Sequence, residues 1–156
     1  MKLQEVRSMI EMQTLEYKRE YNQKAQNTML AFLNTEGGTL HIGLSDDGSV
    51  YGVSGDIDEA TRGIINGFRD AVTPDPSGYF RVEPEIREGK TVIIVTVERG
   101  SAIPYCYSKF GLVPRGVFVR LGNNTVMATH EHIGQMILVS GARHFLTELS
   151  ALPLVP

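Results

Sequence analysis

The sequence is short of several things at once. It holds a single cysteine, Cys106, no tryptophan, and no surplus of positive charge, since 15 lysines and arginines stand against 18 aspartates and glutamates for a formal net charge of −3. A lone cysteine excludes an internal disulfide and any cysteine-rich zinc site, and it agrees with a reducing compartment. The acidic balance excludes a protein that holds nucleic acid by bulk electrostatics, so any basic surface must be local. No apolar run approaches the ~18 residues of a membrane span, and the N-terminus lacks the basic-then-apolar pattern of export signals. The expectation is a cytoplasmic protein with no membrane partner. No internal repeat is visible.

What is present is an ordinary globular composition. At 156 residues, with 42% hydrophobic and 21% charged residues, the chain is long enough to bury one core without staples, and disorder is excluded. One domain is expected over residues 1–140, followed by an apolar tail at 141–156.

The periodicity changes sharply around Asn34 to Gly38. Ala25, Met29, Phe32 and Leu33 fall at helical spacing, and Leu40, Ile42 and Leu44 then alternate with period two. Gly and Asn tolerate the left-handed backbone that ends a helix. Asp47-Gly48 marks a hairpin turn whose second strand is expected at Val50 to Val53. Before this unit come a short helix over 3–12 and a strand at Leu15 to Lys18, whose alternation leaves Glu16 and Lys18 on one face. After it, Asp56 with Glu59 makes a capping-box-like start for a helix carrying Ile57, Ala60, Ile64 and Phe68. Strands are expected at Phe80 to Val82, Val92 to Val97 and Val117 to Arg120, the last ended by Gly122-Asn123-Asn124. Thr129 caps a final helix that carries Ile133, Met136 and Ile137 inward. After the N-terminal helix the order is β-α-β-β-α-β-β-β-α, an α+β domain with a mixed or antiparallel sheet flanked by helices.

From Glu11 through Glu16-Tyr17-Lys18, the block Ala31 to Gly43 with its Asn34-Thr35-Glu36-Gly37-Gly38, Asp46-Asp47-Gly48 and Gly52-Val53, to Gly116 to Gly122, the chain resembles the Schlafen AlbA-2 domain. This domain occurs in Schlafen proteins and in many bacterial and archaeal proteins described as transcriptional regulators. The resemblance covers residues 11 to 122 and implies association with nucleic acid, DNA or RNA. In the vertebrate branch, tandem domains form an RNA-cleaving core whose three carboxylates match Glu11, Glu16 and Asp46. The prokaryotic branch is described mainly as DNA-binding.

Clustered carboxylates suit a metal-dependent phosphodiesterase, because hard divalent cations such as magnesium or manganese prefer oxygen ligands and activate water. Glu11 and Glu16 lie five apart, on different faces of a helix and opposite faces of a strand, so they converge only if the chain turns at Met12 to Thr14. The alternative is that all three are solvated surface acids. Asp47 is the fallback for Asp46, with a structural role in the turn as its other reading.

Lys18 is a candidate phosphate contact, or else a surface lysine paired with Glu16 or Glu20. Lys109, Arg115 and Arg120 are candidates to line a phosphate path, with Tyr105 and Tyr107 available to stack on unpaired bases or to pack. His41 reads as a satisfied strand residue. His130 and His132 diverge on a helix, so no zinc is expected. The readings carried forward are a nucleic-acid-binding domain, a metal-dependent endoribonuclease using Glu11, Glu16 and Asp46, and a protein-interaction module. Because the vertebrate core needs two lobes, a homodimer that recreates a paired groove is expected.

Overall fold

The computed structural model describes residues 2–4 and 13–151, the side chains of 142–147 and 151 excepted. Glu11 lies outside the described residues, as does most of the helix expected over 3–12. The first described strand, β1 (Leu15–Lys18), leads to α1 (Gln23–Asn34) and β2 (Gly38–Ile42). Helix α2 (Ile57–Ala71) and β3 (Val72–Thr73) follow, then the hairpin β4 (Phe80–Arg87) and β5 (Lys90–Val97). The short β6 (Cys106–Tyr107), the hairpin β7 (Phe118–Leu121) and β8 (Asn124–Met127), and α3 (His130–Ala151) complete the order. The architecture is α+β with a mixed sheet. Its strands run in the order β1-β2-β5-β4, with β1 parallel to β2 and the other pairs antiparallel. Two further pairs stand apart, β3 with β6 and β7 with β8.

Helix α1 is the centre of the core. Asn22 caps it by accepting from the Ala25 amide at 3.1 Å, and Ala25, Met29, Leu30, Phe32 and Leu33 are all fully buried. They pack with Leu40, Ile42, Ile93 and Val95 from the sheet and with Ile64 and Phe68 from α2. Asp56 caps α2 through the Glu59 amide at 3.1 Å, as its sequence predicts.

The Asn34 to Gly38 block is a structural joint. The buried Asn34 amide donates to the carbonyls of Tyr105 and Phe118 at 2.9 and 3.0 Å, and its oxygen accepts from the Tyr105 N–H at 2.7 Å. One side chain thus ties the end of α1 to the chain before β6 and to β7. Gly37 has φ +78, and a Cβ there would lie 2.6 Å from the Val97 carbonyl; a Cβ on Gly38 would meet the Phe32 ring at the same distance. Only glycine lets the chain turn from helix into sheet this tightly.

Three local expectations change. Val50 to Val53 is not a strand: Gly43, at φ +102, turns the chain outward, and only an isolated Leu44–Val50 bridge forms. The Tyr51 and Gly52 amides both donate to the Gly43 carbonyl, and Val53 donates to the Thr91 carbonyl of β5. Gly122-Asn123 does end β7, but Asn124 then opens a further strand, β8, paired back on it. In α3, capped by the Thr129 hydroxyl at 3.0 Å, Ile133 is buried and Met136 packs against it, whereas Ile137 is exposed. The helix continues through Gly141 to Ala151. No helix among the described residues is long and apolar enough to cross a membrane.

Candidate nucleic-acid interface

The cations and tyrosines singled out in the sequence separate into buried and exposed groups. Arg120, on β7, is 3% exposed. Its guanidinium donates to the Gln13 and Leu15 carbonyls at 3.1 Å each, to Glu16 Oε2 at 2.7 Å and to Thr125 Oγ1 at 3.0 Å, and it lies 5.2 Å over the Phe32 ring. It holds β1 against the β7–β8 hairpin and is not part of an exposed phosphate path. Its planar fork matches backbone carbonyls and a carboxylate together, which a solvated cation would not need.

Glu16 is therefore already engaged. Its second oxygen lies 3.5 Å from Lys18 Nζ, the local pairing that the alternation of β1 allows. Asp46 is exposed and, among the described residues, has no hydrogen-bond or ion-pair partner. Its loop borders Tyr17, since a Cβ on Gly48 would lie 3.7 Å from that ring. Tyr17 and Glu16 project to opposite faces of β1. Among the described residues no three His, Cys, Asp or Glu side chains are grouped to hold a metal. Asp47 has the structural role: its carboxylate accepts from the Ser49 N–H at 2.9 Å and hydroxyl at 2.6 Å, which holds its pKa below the usual carboxylate value.

Tyr105 and Tyr107 are buried, at 1% and 4% exposure, so neither ring is open to a base. Tyr105 fills the space over Gly100 and its hydroxyl accepts from the Ala102 amide at 3.1 Å. The Tyr107 ring packs edge-on against Phe118. Its hydroxyl alone reaches outward, donating to Asn27 Oδ1 at 2.6 Å and accepting from Gln23 Nε2 at 3.2 Å. Burial raises the Tyr107 phenol pKa, so it remains a neutral donor.

Lys109 and Arg115 are the exposed pair. They flank Phe110, with Lys109 Nζ 4.8 Å and Arg115 Cζ 4.7 Å from its ring centroid. Phe110 is anchored against the core, and tight turns fix both flanks: Phe110 and Gly111 donate to Tyr107, and Gly116 donates to Val113. The two cations stand at a cleft of about 630 Å³ that also takes in Gln23, Gln26, Asn27 and the Tyr107 hydroxyl, with Asp70 at its edge. Such a surface offers two positive charges and several neutral donors and acceptors, the chemistry that meets phosphate oxygens and base edges. The amides of α1 and Phe110 were missed in the sequence; the alternation Lys109-Phe110 before Arg115 was the signal for the latter. No one-dimensional signal marked Gln23 or Asn27, which reach the cleft only because α1 packs beside β6.

The model of the Schlafen, AlbA_2 family matches residues 11–129. No curated protein matches the chain. Among solved structures, the solution structure of the N-terminal domain of a Nitrosomonas europaea protein, named for its relation to the ATP-dependent DNA helicase RecG, is similar with a TM-score of 0.51 and 21% identity. That match covers 73% of this chain and 81% of that one, and shows the fold. The DIP2311 protein of Corynebacterium diphtheriae matches with a TM-score of 0.49 and 18% identity, over 74% of this chain and 22% of that longer one.

Proposed function

The chain belongs to the Schlafen, AlbA_2 family, and from that premise we propose that it binds nucleic acid in the cytoplasm as a recognition domain, of the kind used by transcriptional regulators. The observation that carries the reading is the Lys109–Phe110–Arg115 platform at the mouth of an amide-lined cleft. Both cations are exposed and neither is committed to a carboxylate among the described residues, so both can replace the counterions of a phosphate backbone. A protein of net charge −3 needs its positive potential concentrated in this way. The name of the Nitrosomonas relative, tied to a DNA helicase, agrees with this class of ligand. A homodimer that brings two clefts into one groove belongs to the same proposal, and a monomer mass by light scattering removes that part.

Cleavage is the weaker reading. Asp46 is exposed and without a partner among the described residues, but Glu16 would have to leave Arg120 and Lys18 to join it on magnesium or manganese.

The test is binding of labelled tRNA and single-stranded DNA across a salt series, native chain against Lys109→Ala with Arg115→Ala. Salt-sensitive binding that the double variant loses supports the proposal. Binding to neither nucleic acid overturns it in favour of an interaction module. Incubation with magnesium or manganese tests cleavage, and product that disappears in Glu16→Ala with Asp46→Ala would make the chain a nuclease.

A further inference from the structure

A second cleft, of about 510 Å³, opens at the other end of α2. Its floor is apolar, from Ile42, Ile64 and Ile93, and its rim carries Arg19 and Tyr51. Tyr51 is 59% exposed, a large aromatic ring left in water, and the Arg19 guanidinium lies 5.3 Å over it. The ring is not on a loose loop. The Tyr51 amide donates to the Gly43 carbonyl at 2.8 Å, so the backbone beneath it is pinned to the end of β2. Arg19 is steadied by Ser45 Oγ at 3.3 Å and makes no ion pair among the described residues.

The two clefts lie toward opposite ends of α2, and the seam between them is a face of that helix. Ala60, Gly63, Gly67 and Ala71 recur at helical spacing along α2, and a Cβ on Gly63 would meet nothing within 4 Å. Gln26 of α1, which lines the Lys109–Arg115 cleft, lies 3.8 Å from the place of a Cβ on Gly67, and Tyr21, just before α1, lines the Tyr51 cleft. At ~1.5 Å per residue, Ala60 to Ala71 covers about 16 Å, room for up to about five nucleotides at ~3.4 Å stacked spacing.

We propose that this seam binds a single-stranded polynucleotide, with an unpaired base stacked on Tyr51, a phosphate on Arg19, and phosphates further along the strand on Lys109 and Arg115. The proposal rests on the nucleic-acid reading above and names its substrate class. Single strands are selected for two reasons. An exposed ring can stack only on a base whose face is open, and a duplex keeps its base faces covered. Each cleft also holds an acid beside its cations, Glu20 with Arg19 and Asp70 with Lys109 and Arg115, so each tolerates few phosphates. A duplex, with a charge every ~1.7 Å of its axis, would press phosphates against these acids.

The experiment is fluorescence anisotropy with eight-nucleotide strands of one sequence, as RNA and as DNA, and with their duplexes. The proteins are the native chain, Tyr51→Ala, Tyr51→Phe, and Lys109→Ala with Arg115→Ala. Circular dichroism checks that each is folded. Strands carrying 5-iodouracil are also photocrosslinked and the attached residue mapped. Expected are a preference of about tenfold or more for single strands, a loss of about tenfold in Tyr51→Ala that Tyr51→Phe restores, and crosslinking to Tyr51. The RNA and DNA arms show which sugar is preferred. Equal duplex binding, or full affinity in Tyr51→Ala while the Lys109/Arg115 variant loses binding, overturns the single-strand groove and leaves the general nucleic-acid reading standing. No binding by the native chain overturns both.

Discussion

Arg120 and the pair Lys109 and Arg115 come from one short stretch of chain, yet they occupy opposite environments. Arg120 is buried among two backbone carbonyls, a threonine and Glu16, while Lys109 and Arg115 stand in water on either side of a phenylalanine. A buried guanidinium whose donors are all turned inward is part of the framework. An exposed cation steadied only by an aromatic face keeps its charge available to a ligand. The same residue type therefore serves stability in one place and recognition in the other, and the partners decide which.

The largest effect that would sharpen this contrast is at Arg120. Arg120→Ala leaves Glu16 without its strongest partner and uncaps the Gln13 and Leu15 carbonyls, with an expected loss of about 3 kcal/mol or more in urea unfolding. A variant of full stability that has lost nucleic-acid affinity would instead move Arg120 into the interface. Asn34→Ala comes next, at about 2 kcal/mol, because the Tyr105 N–H and the carbonyls of Tyr105 and Phe118 lose a buried partner. The same denaturation series measures it. Lys109→Ala with Arg115→Ala is expected to change stability by less than about 0.5 kcal/mol each. Its signature lies in binding, where the slope of log affinity against log salt falls by about 0.7 for each single-strand phosphate that the variant no longer neutralises.

The smallest effect is a pH dependence from His41. Burial, then the Arg87 guanidinium, hold its folded pKa below the usual 6.5, so the unfolded chain takes up a proton first as the pH falls. Its contribution to stability is whole above pH 6.5 and is lost as the pH drops from there through the lowered folded value. Unfolding midpoints at pH values of about 7.5 and 5.5, native against His41→Gln, check it. A native slope that survives the substitution would assign the effect to another group.

Much of the fold was legible because periodicity and end signals are local. The helix that ends at the Asn34 to Gly38 block, the Asp56 cap, the strands at Phe80 to Val82 and Val92 to Val97 and the Thr129 cap all follow from residues within a few positions of one another. Val50 to Val53 failed because its fate depends on Thr91, which takes the Val53 amide from across the chain. Ile137 failed because the helical stripe was read one residue too wide for the neighbours that α3 meets. Within the candidate site, the sequence marks Lys109 and Arg115 as cations near aromatics, but residue type alone does not separate them from the buried Tyr105, Tyr107 and Arg120. Glu16 with Lys18 is the reverse case, a pairing that strand alternation predicts and the distance of 3.5 Å reports.

The sequence by itself determined the class of fold, the family, and the joint at Asn34 to Gly38, because backbone permissiveness and hydrophobic period are properties of neighbouring residues. The tertiary structure alone decided which charges are spent. Whether an arginine meets solvent or a carboxylate 104 positions away is fixed by packing between β1, α1 and β7, and that same packing sets Lys109 and Arg115 outward beside the amides of α1.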